Sequence, residues 1–168
     1  MKTTAARVLA LVVIVVVVTA VVFFYYFRTT GIAALPQKIG DLSLAQTVEG
    51  EKANNILDRM HDKEVSLAVN TIGMYTGGST GAVVYLSVYH SEAEAARAYR
   101  KMAGRIEKGN LLFTGYRTVR IGEVDASFCV GQEQDHYFFA HRDQLYWLAT
   151  DTINALKIAG DLAATLRF

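Results

Sequence analysis

The first feature of the hydrophobic pattern is an unbroken apolar run, residues 8–27, which has no charged side chain and one aliphatic hydroxyl, Thr19. A helix of this length rises about 30 Å, the thickness of the hydrocarbon core of a bilayer. The run is rich in Val and Ile, which favour strands in water, but a single strand cannot pair its backbone groups in lipid. The run therefore predicts a transmembrane helix.

Beyond this run, the pattern switches between the two-residue period of strands and the 3.6-residue period of helices. Seven segments are typical of strands: 41–47, 65–75, 82–90, 116–122, 124–131, 136–141 and 145–150. Three segments carry an apolar helical stripe: 49–62, 91–108 and 152–166. Short turns make consecutive strands antiparallel. The order predicts an α+β domain, a mostly antiparallel sheet of about six or seven strands packed with three helices.

The ends of two helices can be predicted from local signals. Ser91 and Glu94 form a capping box at the start of the middle helix, and Gly109 suits the position after its end. Asp151 or Thr152 is the expected cap of the last helix. The expected buried stripe of that helix is Ile153, Leu156, Ala159, Ala163 and Leu166.

The charges near the apolar run predict its orientation. Lys2 and Arg7 precede the run, so the positive-inside rule favours an N-terminus in the cytoplasm and a domain outside the cell membrane. A cleaved signal peptide ending near residues 32–34 is the alternative, but its apolar core would be shorter. The expected divisions are a cytoplasmic tail, 1–7, a transmembrane helix, 8–27, a linker, 28–38, and an extracytoplasmic domain, 39–168.

The charge of the domain limits its partners. After Arg28 the chain has 14 Lys/Arg and 16 Asp/Glu, with no run of five or more basic residues. This pattern argues against nucleic acid and against an electrostatic lipid-binding patch. The Gly-rich turn 77–81 lacks the Gly-Lys-Ser/Thr ending of a phosphate loop, so no nucleotide site is predicted. The one cysteine, Cys129, permits no internal disulfide.

The segment 131–137 has the densest cluster of polar side chains. One interpretation is a loop that binds a partner through Gln132, Gln134, His136 and Tyr137, because binding groups concentrate on loops. The other is an ordinary solvated hairpin turn. Both interpretations place His136 on an outward-facing turn.

Two further sites remain open as alternatives. Met60 and His61, together with His136, could serve a metal- or haem-handling protein, although a full ligand set is not visible. Glu123, Asp125 and His136 could serve an unrecognised hydrolase or transferase, although the alternation there also fits a half-buried strand. No known catalytic motif occurs, so no catalytic residue and no cofactor is predicted.

Five stretches together resemble a family of single-span, membrane-anchored archaeal and bacterial proteins: LPQKIGDLSL (35–44), EGEKANNILDRMHDKEV (49–65), SEAEAARAYRKM (91–102), GQEQDHYFF (131–139) and YWLATD (146–151). Two positions depart from the relatives: Asp62 replaces a Gly, and 131–134 replaces a Gly-x-Gly-Gln run. The resemblance implies a membrane-anchored α+β domain with no established activity, so it assigns no functional residue.

These patterns favour a membrane-tethered, non-enzymatic accessory subunit or binding module of a larger membrane assembly. Its expected partners are the lipid bilayer, through residues 8–27, and other membrane proteins.

Overall fold

The computed structural model describes Val17, Thr19 and the ranges 35–60, 69–109, 111–151 and 153–166. The chain divides into two units, Met1–Ala33 and Ala34–Phe168, and the description below concerns the second. Among the described residues, no helix is long and apolar enough to cross a membrane. Apart from Val17 and Thr19, the predicted transmembrane segment lies outside the described residues and stays a prediction.

The second unit is an antiparallel sheet packed with helices, which confirms the predicted α+β class. The described strands are β1 (Lys38–Ile39), β2 (Leu42–Glu49), β3 (Val69–Gly77), β4 (Thr80–Val88), β5 (Thr114–Ile121), β6 (Val124–Gly131), β7 (Gln134–His141) and β8 (Gln144–Asp151). The described helices are α1 (Gly50–Met60), α2 (Glu92–Glu107) and α3 (Ala155–Ala164). The strands lie side by side in the order β1-β2-β3-β4-β8-β7-β6-β5.

The predicted strand count was too low, because the segment expected to be a linker contributes to the fold. Lys38 and Ile39 pair with Ser43 and Leu42, so β1 is a short edge strand. Leu35 is also buried. The domain therefore begins several residues before the expected boundary at residue 39.

One face of the sheet is covered by α1 and α2. Ala103 and Ile106 of α2 pack with Cys129, Phe138 and Trp147 of the sheet. Where α1 crosses the sheet, a polar chain holds it. The Asn70 Nδ2 atom donates to Asn54 Oδ1 at 2.8 Å, and the Ser87 hydroxyl donates to Asn70 Oδ1 at 2.6 Å.

The other face is covered by α3, which contacts β8 in the middle of the sheet and also both edge strands, β1 and β5. Because one helix reaches both edges, the sheet must be curled around it. A residue without a side chain permits this close fit, because even a Cβ atom at Gly160 would lie 3.9 Å from Ile121 Cγ2. The buried residues of α3 are Ala155, Ile158, Ala159, Leu162 and Ala163.

The stripe predicted for the last helix was correct at Ala159 and Ala163 but wrong at Ile153 and Leu156. The helix begins at Ala155, after Asn154, whose φ is 65° and whose side chain makes no capping hydrogen bond. Asp151 belongs to β8 instead of capping the helix. Ile153 and Leu156 are 74% and 59% exposed, because Ile153 precedes the helix and the face of α3 that meets the curled sheet is the one that carries Ile158 and Leu162.

The predicted start of α2 is confirmed. The Ser91 hydroxyl accepts a hydrogen bond from the Glu94 amide at 3.3 Å, and the Glu94 carboxylate accepts one from the His90 amide at 3.2 Å. Gly109, with φ of 81°, follows the C-cap Lys108. These caps satisfy backbone groups that the helix leaves unpaired.

Candidate functional site

His136 lies inside the core and not on a turn. The turn is confined to Gln132 and Glu133, and His136 is the third residue of β7, only 5% exposed. It lies on the face that α2 covers, because its cross-strand partners are Cys129 of β6 and Ala149 of β8. The expectation that its ring points outward was wrong, since the strand alternation turns it toward the helix.

Both ring nitrogens of His136 are engaged. The indole Nε1 of Trp147 donates to Nδ1 at 3.0 Å. Because an indole nitrogen can only donate a hydrogen bond, Nδ1 must be the unprotonated ring nitrogen of His136. The proton is then on Nε2, which donates to the Gly131 carbonyl at 2.9 Å. The imidazole is thus held as one neutral tautomer.

Burial lowers the pKa of His136 from its ordinary value of 6.5. The hydrogen bond to Gly131 and the nearby Asp135 carboxylate raise the pKa, but their effect is smaller than that of desolvation. Protonation would also place an N–H on Nδ1, directly facing the Trp147 N–H. The neutral form is therefore the one that fits this fold.

Aromatic rings enclose the imidazole. Phe113 meets His136 edge-on with ring centroids 5.1 Å apart, and it lies 5.4 Å from Trp147. Trp147 stacks on Phe138 at 4.8 Å with 8° between the planes. Phe113 comes from the segment between α2 and β5, so this aromatic cluster fixes that segment on the sheet.

The Ser127 hydroxyl also finds hydrogen-bond partners within the layer between the sheet and α2. The Ser127 hydroxyl is fully buried. It lies 2.9 Å from the Tyr99 hydroxyl and 3.2 Å from the Tyr116 hydroxyl. Cys129, on the same strand, is also fully buried, and burial raises the pKa of its thiol to about 12. A thiol of this kind stays protonated and is a poor nucleophile.

Glu123, Asp125 and His136, the acid–base group suggested by the sequence, are not close together in the structure. Asp125 is four strand positions from Cys129, the cross-strand partner of His136, which is about 13 Å along β6. Asp125 instead pairs with Arg120 at 2.7 Å. Glu123 lies on the β5–β6 turn beside a shallow cavity of about 260 Å³. The half-buried strand expected here was also wrong, because β6 is buried on both faces from Ala126 to Cys129.

Of the three metal candidates, only the side chain of His136 is described. Met60 is the last residue of α1, His61 lies outside the described residues, and both nitrogens of His136 are taken. Within the described ranges, no group of three or more His, Cys, Asp or Glu side chains is placed to share a metal ion.

The exposed part of the predicted loop lies at the end of the sheet where β8 ends, and two large aliphatic side chains that the sequence pattern assigned to the core are exposed shortly after that point in the chain. Gln132 is exposed and Gln134 half-buried, whereas Tyr137 is buried beside Phe128 on the opposite face of the sheet from His136. Gln134 pairs with Asp151, two residues before Ile153. We call Gln132, Gln134, Ile153 and Leu156 the turn-end patch. The sequence pattern placed the start of the last helix at residue 152, and the structure moves it to Ala155, which is why this patch was missed.

Neither a family model nor a curated protein sequence matches the chain. Among solved structures, a GTP-binding regulator from Thermotoga maritima aligns with a TM-score of 0.47 and 12% identity, over 75% of this chain and 78% of that chain. A likeness at this level supports no inference about function.

The packing of Phe113 predicts the effect of a methyl group at Gly131. A Cβ atom there would lie 2.5 Å from Phe113 Cδ1 and 2.6 Å from the Leu112 carbonyl. Gly131→Ala should lower the free energy of unfolding by about 1–3 kcal/mol through overpacking. The control is Gly104→Ala in α2, where a Cβ meets nothing within 4 Å. The control should gain about 0.5–1 kcal/mol in urea unfolding; equal effects would contradict the packing described.

His136 predicts a pH dependence of stability. Its folded pKa lies below the unfolded value of about 6.5. As the pH falls below that value, the unfolded chain binds a proton that the folded chain refuses, so stability decreases with acidification. His136→Phe should remove this part of the slope in urea unfolding between pH 7 and pH 5. His90→Gln, at an exposed site, should retain it; an unchanged slope in His136→Phe would refute the assignment.

Proposed function

We propose that the protein is a membrane-tethered binding module, a non-enzymatic accessory subunit of a larger membrane assembly. The observation that carries the proposal is the turn-end patch, where Ile153 and Leu156 are 74% and 59% exposed at the end of the sheet that also carries the polar turn at Gln132. An apolar centre with amide groups at its rim is typical of protein–protein contact surfaces.

The burial of the polar core residues also supports this proposal. Ser127, Cys129 and His136 have side chains that can act as nucleophile or base, and each is buried within the packed layer between the sheet and α2. The hydrogen bonds of Ser127 and His136 go to Tyr99, Gly131 and Trp147. The fold uses these groups for its own stability, which leaves the exposed surface for recognition.

The membrane tether rests on the apolar run 8–27. We propose that it spans the cell membrane with the N-terminus in the cytoplasm and the domain outside, because Lys2 and Arg7 precede it. The partners would then be membrane proteins that extend to the same side.

The partner surface can be tested by isolating the full chain from its native membrane in mild detergent. Ile153→Ser with Leu156→Ser should reduce the amount of co-purifying partner at least tenfold, since central aliphatic contacts are commonly worth about 1–2 kcal/mol each. Stability should change by no more than about 0.5 kcal/mol, because both side chains are exposed.

The matched control is Val69→Ser, which removes a 55% exposed aliphatic side chain at the far end of β3. The control should retain the partner in stoichiometric amount. Equal partner yield from the double variant and the wild type would show that the turn-end patch is not the contact.

The orientation is tested separately. Protease added to intact cells should digest the domain if it lies outside. Protection until lysis, with a known external protein digested in the same sample, would reverse the proposed topology.

A further inference from the structure

Basic residues are segregated on one part of the domain. Residues 97–120 contain seven Lys/Arg and one Asp/Glu, a formal charge of +6, whereas the rest of 29–168 contains seven Lys/Arg and fifteen Asp/Glu, a charge of −8. This segment comprises most of α2 and the edge strand β5, which contact each other. The near-neutral net charge of the domain conceals this division.

The outer side of α2 carries a line of these charges. Arg97, Lys101, Arg105 and Lys108 recur at helical spacing, all exposed and opposite the buried Ala95, Ala103 and Ile106. We call these four residues the cationic stripe. Arg97 lies 4.0 Å from Glu94 and remains 65% exposed, so this ion pair leaves its charge available. The folded helix thus aligns charges that never form a consecutive run.

Two solvent-exposed leucines follow the cationic stripe in the chain. The helix ends at Gly109, and Leu111 and Leu112 are 104% and 63% exposed. The next residue, Phe113, packs against His136 and Trp147. The leucines are therefore held in water by an anchored neighbour. We call Leu111 and Leu112 the leucine tip.

We propose that the cationic stripe and the leucine tip form a docking surface for an anionic lipid bilayer, which holds the domain against the membrane. Basic side chains on the polar face of a helix attract anionic headgroups, and aliphatic side chains beside them enter the interface. The proposal rests on the proposed membrane tether: from Phe27 to Leu35 the chain spans at most about 29 Å. Lipid is thus the surface that the tether keeps at high local concentration.

Two further arginines of the segment lie on β5 and contact side chains of β6. The Arg117 guanidinium lies 3.8 Å from the centroid of the Phe128 ring, and Arg120 pairs with Asp125. We limit the docking surface to the exposed side of α2 and the leucine tip that follows it, and β5 adds to the local positive field.

The test uses the full chain in vesicles of neutral phosphatidylcholine, with or without an equal amount of anionic phosphatidylglycerol. A fluorophore is attached at Thr114→Cys, an exposed position two residues after the leucine tip. The native Cys129 is buried and should not react. The anionic vesicles should protect the fluorophore from dissolved iodide and expose it to quenchers carried on lipid, and high salt should reverse both effects.

Replacing Arg97, Lys101 and Lys108 by Gln should lower the docking equilibrium about 100-fold, because each charge contributes about a factor of five near an anionic surface. The control replaces Lys38, Lys52 and Arg142 by Gln, three exposed basic residues elsewhere on the domain, and should dock nearly as well as the wild type. Replacing Leu111 and Leu112 by Ser should remove quenching by lipid. The fluorescence of Trp147 checks that each variant is folded.

Carbonate extraction of the same vesicles tests the tether by itself. A chain that is extracted refutes the tether of the proposed function. A chain that is retained, with a fluorophore equally accessible in both lipids, refutes only the docking surface. Protection by an oligonucleotide or an acidic polypeptide, without protection by anionic vesicles, would overturn the lipid assignment in favour of that partner.

Discussion

Burial of β6, β7 and β8 on both faces is the constraint on which the rest of the structure depends. α2 covers one face and α3 the other, so the buried polar groups of these strands, Ser127, His136 and Thr150, have no access to water. Such groups are costly unless they are paired. Ser127 meets two tyrosine hydroxyls, and the Thr150 hydroxyl donates to the Gly81 carbonyl at 2.8 Å. His136 uses both of its nitrogens. Residues that look reactive in the sequence are thereby committed to the fold.

Local sequence signals predicted the helices and strands. Which of their faces are buried depends on packing between residues that are distant in the chain. The capping box of Ser91 and the bounds of β6 depend on neighbours in the chain, and both agree with the structure. Alternation along β6 has the same appearance whether its second face meets water or a helix, so the burial of Ser127 could not be predicted. The position of His136 depends on Phe113 and Trp147, which are distant in sequence. Its polar neighbours in the chain suggested a turn instead.

The phase of α3 could not be decided from the apolar residues alone. Two overlapping stripes share Ala159 and Ala163; one adds Ile153 and Leu156, and the other adds Ile158 and Leu162, which are of the same size. The curled sheet buries the second stripe, and Gly160 beside it lets the helix lie close to Ile121. Leaving the two large side chains in water forgoes about 1.5–3 kcal/mol each relative to full burial. A partner that covers the turn-end patch would recover part of this free energy.

The leucine tip and the turn-end patch lie at one end of the sheet. Leu112 is next to Gly131, and Gly131 pairs with Gln134, which pairs with Asp151 just before Ile153. A domain resting on lipid through α2 would therefore hold the turn-end patch close to the membrane, where a membrane protein can reach it. The two contacts should also differ in character. Attraction between the cationic stripe and lipid is screened over about 8 Å at physiological salt, whereas burial of Ile153 and Leu156 is not. Ionic strength can thus separate docking on the bilayer from binding of the partner.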